Sequence, residues 1–274
     1  MVNNMSIINY IVIILMTLYT TIIFTYIILY TDRESKEPVY VIGLCLLSCI
    51  FTICLSLILG DVLLPKFDVV SSGLFSSYTY STLRILLLAL VEEYSKLIVL
   101  YLFISKNSSF DDIYDGVVYS ALIALSFAAF ESVLYVLNEP NFTSMKTLAL
   151  VRGLTSVPLH LICGIVMGYF VGREKFSWGT SRRVVLLISS LLVPAFIHFV
   201  YNFSLSNIIS MFNNSSYLII ILIIFIIPFY IVGYMAIKKA KKLNEKFISN
   251  ENYKNIMTKN EYNEIINSQI KVKR

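Results

Sequence analysis

The sequence predicts an all-α fold, a polytopic transmembrane helical bundle of about seven spans, from three observations. Apolar residues fill 57% of the 274 positions and charged residues only 14%, a balance too apolar for a soluble domain. Nearly uncharged runs long enough to cross about 30 Å of hydrocarbon recur along the chain. None shows the two-residue alternation of barrel strands, and backbone in lipid must satisfy its own hydrogen bonds, which leaves helices.

Taken in order, spans are expected at about 7–30, 39–60, 83–104, 115–138, 147–171, 184–205 and 217–237. The first apolar run, Ile7 to Tyr30, is too long for the core of a cleaved signal and no basic residue precedes it, so it reads as a span. Asp61 to Thr82 reads as a Ser-rich external loop or a partial re-entrant piece. In the fifth span, Pro158 is expected to kink the helix. Residues 1–237 thus form one transmembrane domain, and 238–274 a basic tail holding ten of the 22 Lys and Arg. Its lysines mix with apolar residues at partly helical spacing (Leu243, Phe247; Tyr262, Ile265, Ile266, Ile270), which fits a surface helix drawn to anionic lipid. Because the basic excess sits in this tail, it gives no ground for nucleic-acid binding. Cys45, Cys49, Cys54 and Cys163 all fall inside spans and read as packing residues.

Basic residues set the expected orientation, since they accumulate in cytoplasmic loops. Arg33 and Lys36, Lys106, the group Arg173, Lys175, Arg182 and Arg183, and the tail all fall on one side. The alternate segments hold little beyond Lys66 and Lys146. The N-terminus is therefore expected outside and the tail in the cytoplasm, with the chain in the cell membrane.

Charges inside the spans then stand out. Glu92, Glu93 and Lys96 lie mid-span, at an insertion cost of roughly 2.5–3.5 kcal/mol each. Lys96 is one turn from Glu92 and three residues from Glu93, yet one lysine neutralises only one of two carboxylates. The carboxylate left over marks the stretch as functional. At about 1.5 Å per residue, Glu92 lies about 15 Å from the outer end of its span, Glu131 about 10 Å, His160 about 20 Å and His198 about 12 Å. Four helices thus place ionisable groups in the outer half of the bilayer. Phe127 and Glu131, His160 and Gly164, and His198 and Asn202 are each four apart and share helix faces. Gly164, Gly168 and Gly172 form a small-residue ridge that permits close backbone approach and would carry His160 inward. Arg152, near the depth of Glu131, reads as a snorkelling arginine, a counter-ion for the glutamates, or an electrophile beside an oxyanion.

Carboxylates and imidazoles at one depth point to hydrolysis by activated water. A glutamate takes the water's proton as it attacks a carbonyl, and a His or Asn stabilises the oxyanion. Two histidines and a glutamate equally suit zinc. No HExxH is present and no cofactor is required by the residues, so the metal stays an open alternative, with Glu131, His160 and His198 the expected ligands if zinc binds. No serine or cysteine nucleophile stands beside a base; Ser95 and Ser126 read as packing residues. Proton-coupled transport and a non-catalytic scaffold remain competing classes.

Together these motifs resemble the PrsW family of intramembrane proteases, allied to the CAAX prenyl endopeptidases. Glu92-Glu93-Tyr94-Ser95-Lys96 is similar to the family's EExxK, Phe127 to Glu131 to FxxxE, His160 to Gly164 to HxxxG, and His198 to Asn202 to the final HxxxN/D motif. Connecting stretches are also similar: Asp32-Arg33 through Glu37-Pro38, Tyr114 to Tyr119, and Arg152 leading to Pro158 and His160. The resemblance runs over roughly 30–205. It implies Glu92, Glu131, His160 and His198 as a catalytic core, with Glu93, Lys96, Arg152 and Asn202 in support. It further implies site-1 cleavage of a single-pass membrane anti-sigma factor on its extracytoplasmic side, releasing a sigma factor after further proteolysis. Prenyl endopeptidases carry His at the place of Glu131 and Arg beyond the paired glutamates, so Glu131 and Lys96 favour PrsW. The last motif ends in Asn202 rather than Asp, and the tail is unusually long. The Ile, Asn and Lys bias fits an AT-rich bacterial genome.

Overall fold

A computed structural model describes residues 6–32, 37–71, 76–177, 179–212 and 218–249. The expectations for Arg33, Lys36 and the tail beyond Ser249 lie outside the described residues. Among the described residues eight α-helices follow one another: α1 (Ile7–Thr31), α2 (Val39–Ser71), α3 (Ser77–Val99), α4 (Ile113–Leu137), α5 (Phe142–Leu154), α6 (Ser156–Lys175), α7 (Thr180–Phe212) and α8 (Leu218–Ser249). No strand occurs among the described residues. A π-helical stretch, Leu100–Ile104, continues α3.

Among the described residues, six segments are long and apolar enough to cross a membrane, with α5 and α6 together forming one of them. The third expected span, 83–104, is helical throughout on α3 and its π-helical end but falls outside that apolar set, since it carries Arg84, Glu92, Glu93 and Lys96. The chain is a multi-pass membrane protein. Large apolar side chains of α1, α2, α7 and α8 face outward, as lipid contact requires (Ile7, Ile11, Tyr19, Leu47, Ile188, Phe196, Ile224, Ile231).

Two expectations are corrected. The segment Asp61 to Thr82 is mostly not a loop: α2 runs on to Ser71 with Pro65 inside it, and α3 begins at Ser77. The fifth span does not merely kink but breaks into α5 and α6 at Thr155, whose φ and ψ of −126° and −60° are not helical. Pro158 lacks the N–H that would bond to Leu154, so it fits the first turn of a new helix, where no such bond is needed.

At the centre, α4 and α6 pack antiparallel and most closely, with α1, α2 and α8 around α4, and α7 against both α3 and α6. The glycine ridge causes the closeness. A Cβ at Gly168 would overlap the Gly116 carbonyl, one at Gly172 the Ile113 carbonyl, and one at Gly164 would fall 2.7 Å from Ala124 Cβ. Nearly every side chain from Ile113 to Ala128 is buried in consequence.

Candidate active site

The antiparallel α4–α6 contact runs from Gly116–Gly172 at one end to Phe127–His160 at the other, where the two rings meet edge to face at 5.4 Å. Here α3 and α7 bring their own polar groups. His160 and His198 lie with ring centroids 5.0 Å apart and planes nearly perpendicular. Both histidines, Glu93 and Lys96 are at most 3% exposed, and Glu92 and Glu131 retain 17%.

Lys96 Nζ donates to Glu93 Oε1 at 2.6 Å and to His160 Nδ1 at 2.9 Å, and lies 4.5 Å above the Phe127 ring. An ammonium has no acceptor, so Nδ1 of His160 carries the lone pair and Nε2 the proton. That Nε2–H donates to Glu131 Oε2 at 3.0 Å. The same Glu131 oxygen accepts from Arg152 Nη2 at 2.6 Å, while Arg152 Nε donates to Ser132 and its guanidinium lies 4.5 Å over Tyr135. Of the three readings of Arg152, the structure shows the counter-ion.

His198 is set differently. Its Nδ1–H donates to Glu93 Oε1 at 2.8 Å, which leaves the Nε2 lone pair pointing away from the carboxylate that orients the ring. Glu92 Oε2 lies 3.8 Å from that Nε2, is buried, and accepts no hydrogen bond. The carboxylate left over on α3 is therefore Glu92, because Lys96 is taken by Glu93. Two acceptors that face one another are satisfied together by a water that donates to both, or by a cation.

The donor atoms also fit a metal. Glu92, His160 and His198 each offer an atom within 4.8 Å of the others, and the unpartnered Glu92 Oε2 beside the lone pair of His198 is the observation that favours the fit. His160 would join only by giving up the Nε2 proton it donates to Glu131, since its Nδ1 is held by Lys96. This set shares both histidines with the expected Glu131, His160 and His198, and has Glu92 in place of a Glu131 held by Arg152 and His160. Asn202 lies one turn beyond His198 on α7, half-buried. Ser132 and Tyr135, which hold Arg152, escaped sequence reading, although both follow Glu131 on α4 and Tyr135 is one turn away. Ser95 and Ser126 bond to backbone carbonyls of their own helices, as packing residues do. All four cysteines are free thiols.

Residues 36–232 match the family described as PrsW family intramembrane metalloprotease. A Protease PrsW of Clostridioides difficile (strain 630) is 27% identical over 216 residues, covering 78% of this chain and 85% of that protein. A Protease PrsW of Bacillus subtilis (strain 168) is 29% identical over 218 residues, covering 77% and 86%. One from Oceanobacillus iheyensis is 30% identical over 196 residues, covering 70% and 83%. No solved structure matches this chain.

Proposed function

The chain belongs to the PrsW family of intramembrane proteases, and from that premise we propose that Glu92 and His198 activate the water that hydrolyses a peptide bond. The observation that carries this reading is the unpartnered Glu92 Oε2 facing the free Nε2 of His198. A water donating to both has its lone pairs turned toward an incoming carbonyl carbon. As it attacks, its proton passes to Glu92, the carbonyl oxygen takes the negative charge, and Glu92 returns the proton to the departing amine. Glu93 holds His198 in the tautomer that leaves Nε2 free, and Lys96 holds Glu93 ionised and His160 in its Nε2–H form. Arg152 and the Nε2–H of His160 both hold Glu131, an arrangement neutral overall that fixes the His160 ring beside the reacting groups. Asn202, on the His198 face of α7, is proposed as a donor to the developing oxyanion. The residues that would hold a metal such as zinc are Glu92, His160 and His198, and a bound metal would polarise the water and the carbonyl.

The substrate is proposed to be a single-pass membrane anti-sigma factor, cut near its extracytoplasmic side so that a sigma factor is later released. Glu92, Glu131 and His198, each expected within about 15 Å of the outer end of its span in a core about 30 Å thick, support this placement under the expected orientation. Lys238, Lys239, Lys242 and Lys246 on the last turns of α8 are proposed to meet anionic lipid headgroups.

The test is purified protein in detergent incubated with a single-pass substrate peptide, with and without a chelator. Glu92→Gln is expected to lower the cleavage rate by about 10²–10⁴-fold while the protein still folds. Undiminished cleavage by this variant would remove Glu92 from the reaction. Loss of activity on chelation, restored by zinc, would place a metal in it.

A further inference from the structure

About 24 Å along α4 from Glu131, at the end of the molecule away from the candidate active site, a second group of acids is gathered. Asp111, Asp112 and Asp115 each place a carboxylate oxygen within 4.8 Å of the others, and Glu37, just ahead of α2, accepts from the Tyr119 hydroxyl one turn beyond Asp115 on α4. Asp32 caps the end of α1. Asp32, Asp112 and Asp115 are at most 7% exposed.

Local hydrogen bonds account for part of this. Asp112 and Asp115 form the capping box of α4, Asp115 Oδ2 accepting from the Asp111 and Asp112 amides. Asp112 Oδ2 accepts from Asn244 of α8, and Tyr119 donates its hydroxyl to Glu37. Charge is not balanced in the same way. The two nearest lysines hydrogen-bond carbonyls, Lys175 those of Ser105 and Phe110 and Lys241 that of Thr31, and reach the acids only through space. Among the described residues, no Lys or Arg forms an ion pair with any of the five carboxylates. Asp115 is fully buried, and its Oδ1, the oxygen not used by the cap, has no donor. A carboxylate oxygen desolvated against another carboxylate requires a proton or a cation between them.

We propose that Asp111, Asp112 and Asp115, with Glu37 beside them, bind a divalent cation of the hard, oxygen-preferring class, Mg²⁺ or Ca²⁺. All the donors are carboxylate oxygens with no nitrogen or sulfur among them, which suits those ions rather than zinc. The site joins the start of α2, the segment leading into α4, and, through Asn244, the far end of α8. Its occupant fastens the end of the bundle that carries the basic segments, while the candidate active site lies at the other end.

The full-length protein, purified in detergent and stripped with EDTA, tests this by titration with Mg²⁺, Ca²⁺ or Tb³⁺. Mg²⁺ or Ca²⁺ at about 100 times its dissociation constant is expected to raise the melting temperature by roughly 5–10 °C. Tb³⁺ is expected to show emission sensitised by Tyr114 and Tyr119, displaced by Ca²⁺. Asp111→Asn removes an exposed carboxylate that caps nothing, and with Glu37→Gln it is expected to abolish both responses. His198→Ala should leave them intact, which separates this site from a metal at the candidate active site. The proposal is overturned if divalent ions leave the melting temperature unmoved, if the two acid variants respond as the unaltered protein does, or if pH alone controls stability, since that indicates a shared proton.

Discussion

The Lys96 ammonium holds Glu93 and His160 at once, from a position where neither it nor Glu93 meets solvent. Removing the cation therefore strands a buried carboxylate rather than deleting a surface pair. Lys96→Met is expected to cost about 3–5 kcal/mol of stability. Adding Glu93→Gln to Lys96→Met should recover much of that loss, because the uncompensated charge is gone. Thermal melts in detergent of the two single variants and the double variant check this as a cycle, and additive losses would show that the pair is not coupled. Activity should stay low in the double variant, since a glutamine no longer holds His198 as an anionic acceptor does. Much at this scale was legible beforehand. One lysine beside two glutamates already says that a carboxylate is left over, but only the fold shows that it is Glu92, because spacing allowed Lys96 to reach either. Likewise Arg152 kept three readings in sequence. Its choice depends on Ser132 and Tyr135, whose bearing on it comes from the packing of α5 against α4.

Among the elements, the α4–α6 crossing brings Glu131 to His160, and it exists because three glycines on α6 let the two backbones meet. Gly168→Ala is expected to destabilise the protein by about 1–3 kcal/mol or more, since its Cβ would strike main chain on α4 that cannot rotate away. Gly43→Ala is the contrast: nothing stands within 4 Å of its added Cβ, so it should be neutral or slightly stabilising. Equal melting temperatures for the two variants would show that the crossing is not close. The ridge was visible as Gly164, Gly168 and Gly172 at four-residue spacing, although the sequence did not say which helix it met. The α5–α6 break shows the opposite situation. Pro158 announces a disturbance, but whether a helix bends or ends there depends on what takes up the freed carbonyls, which is a tertiary matter. Helix ends were the least legible part. The polar stretch after Asp61 looks like a loop, yet it forms the last turns of α2, where Asp68 accepts a 2.5 Å hydrogen bond from Tyr80 at the start of α3.

For the whole molecule, composition, long uncharged runs and the absence of strand alternation sufficed for the fold class, because lipid admits only helices and closed barrels. Orientation rests on a separate physical signal, the placement of Lys and Arg, and it decides on which side a substrate would be cut. The candidate site lies toward the end of α4 that leads to Leu137 and the start of α6, level with the second half of α3 and the middle of α7. The segments carrying Lys106, Arg173 and Lys175 lie at the other end, beside the cluster of Asp111, Asp112 and Asp115. If basic residues stay in the cytoplasm, a reporter active only outside should work when fused after Phe212 and fail when fused after Ser249. A reporter active only inside should give the reverse. The same orientation requires a peptide substrate to be cut in its outer half, which mass spectrometry of the two fragments reads directly. Fusions showing the reverse topology would put Glu92 and His198 near the cytoplasmic face, and cleavage would then have to occur on that side.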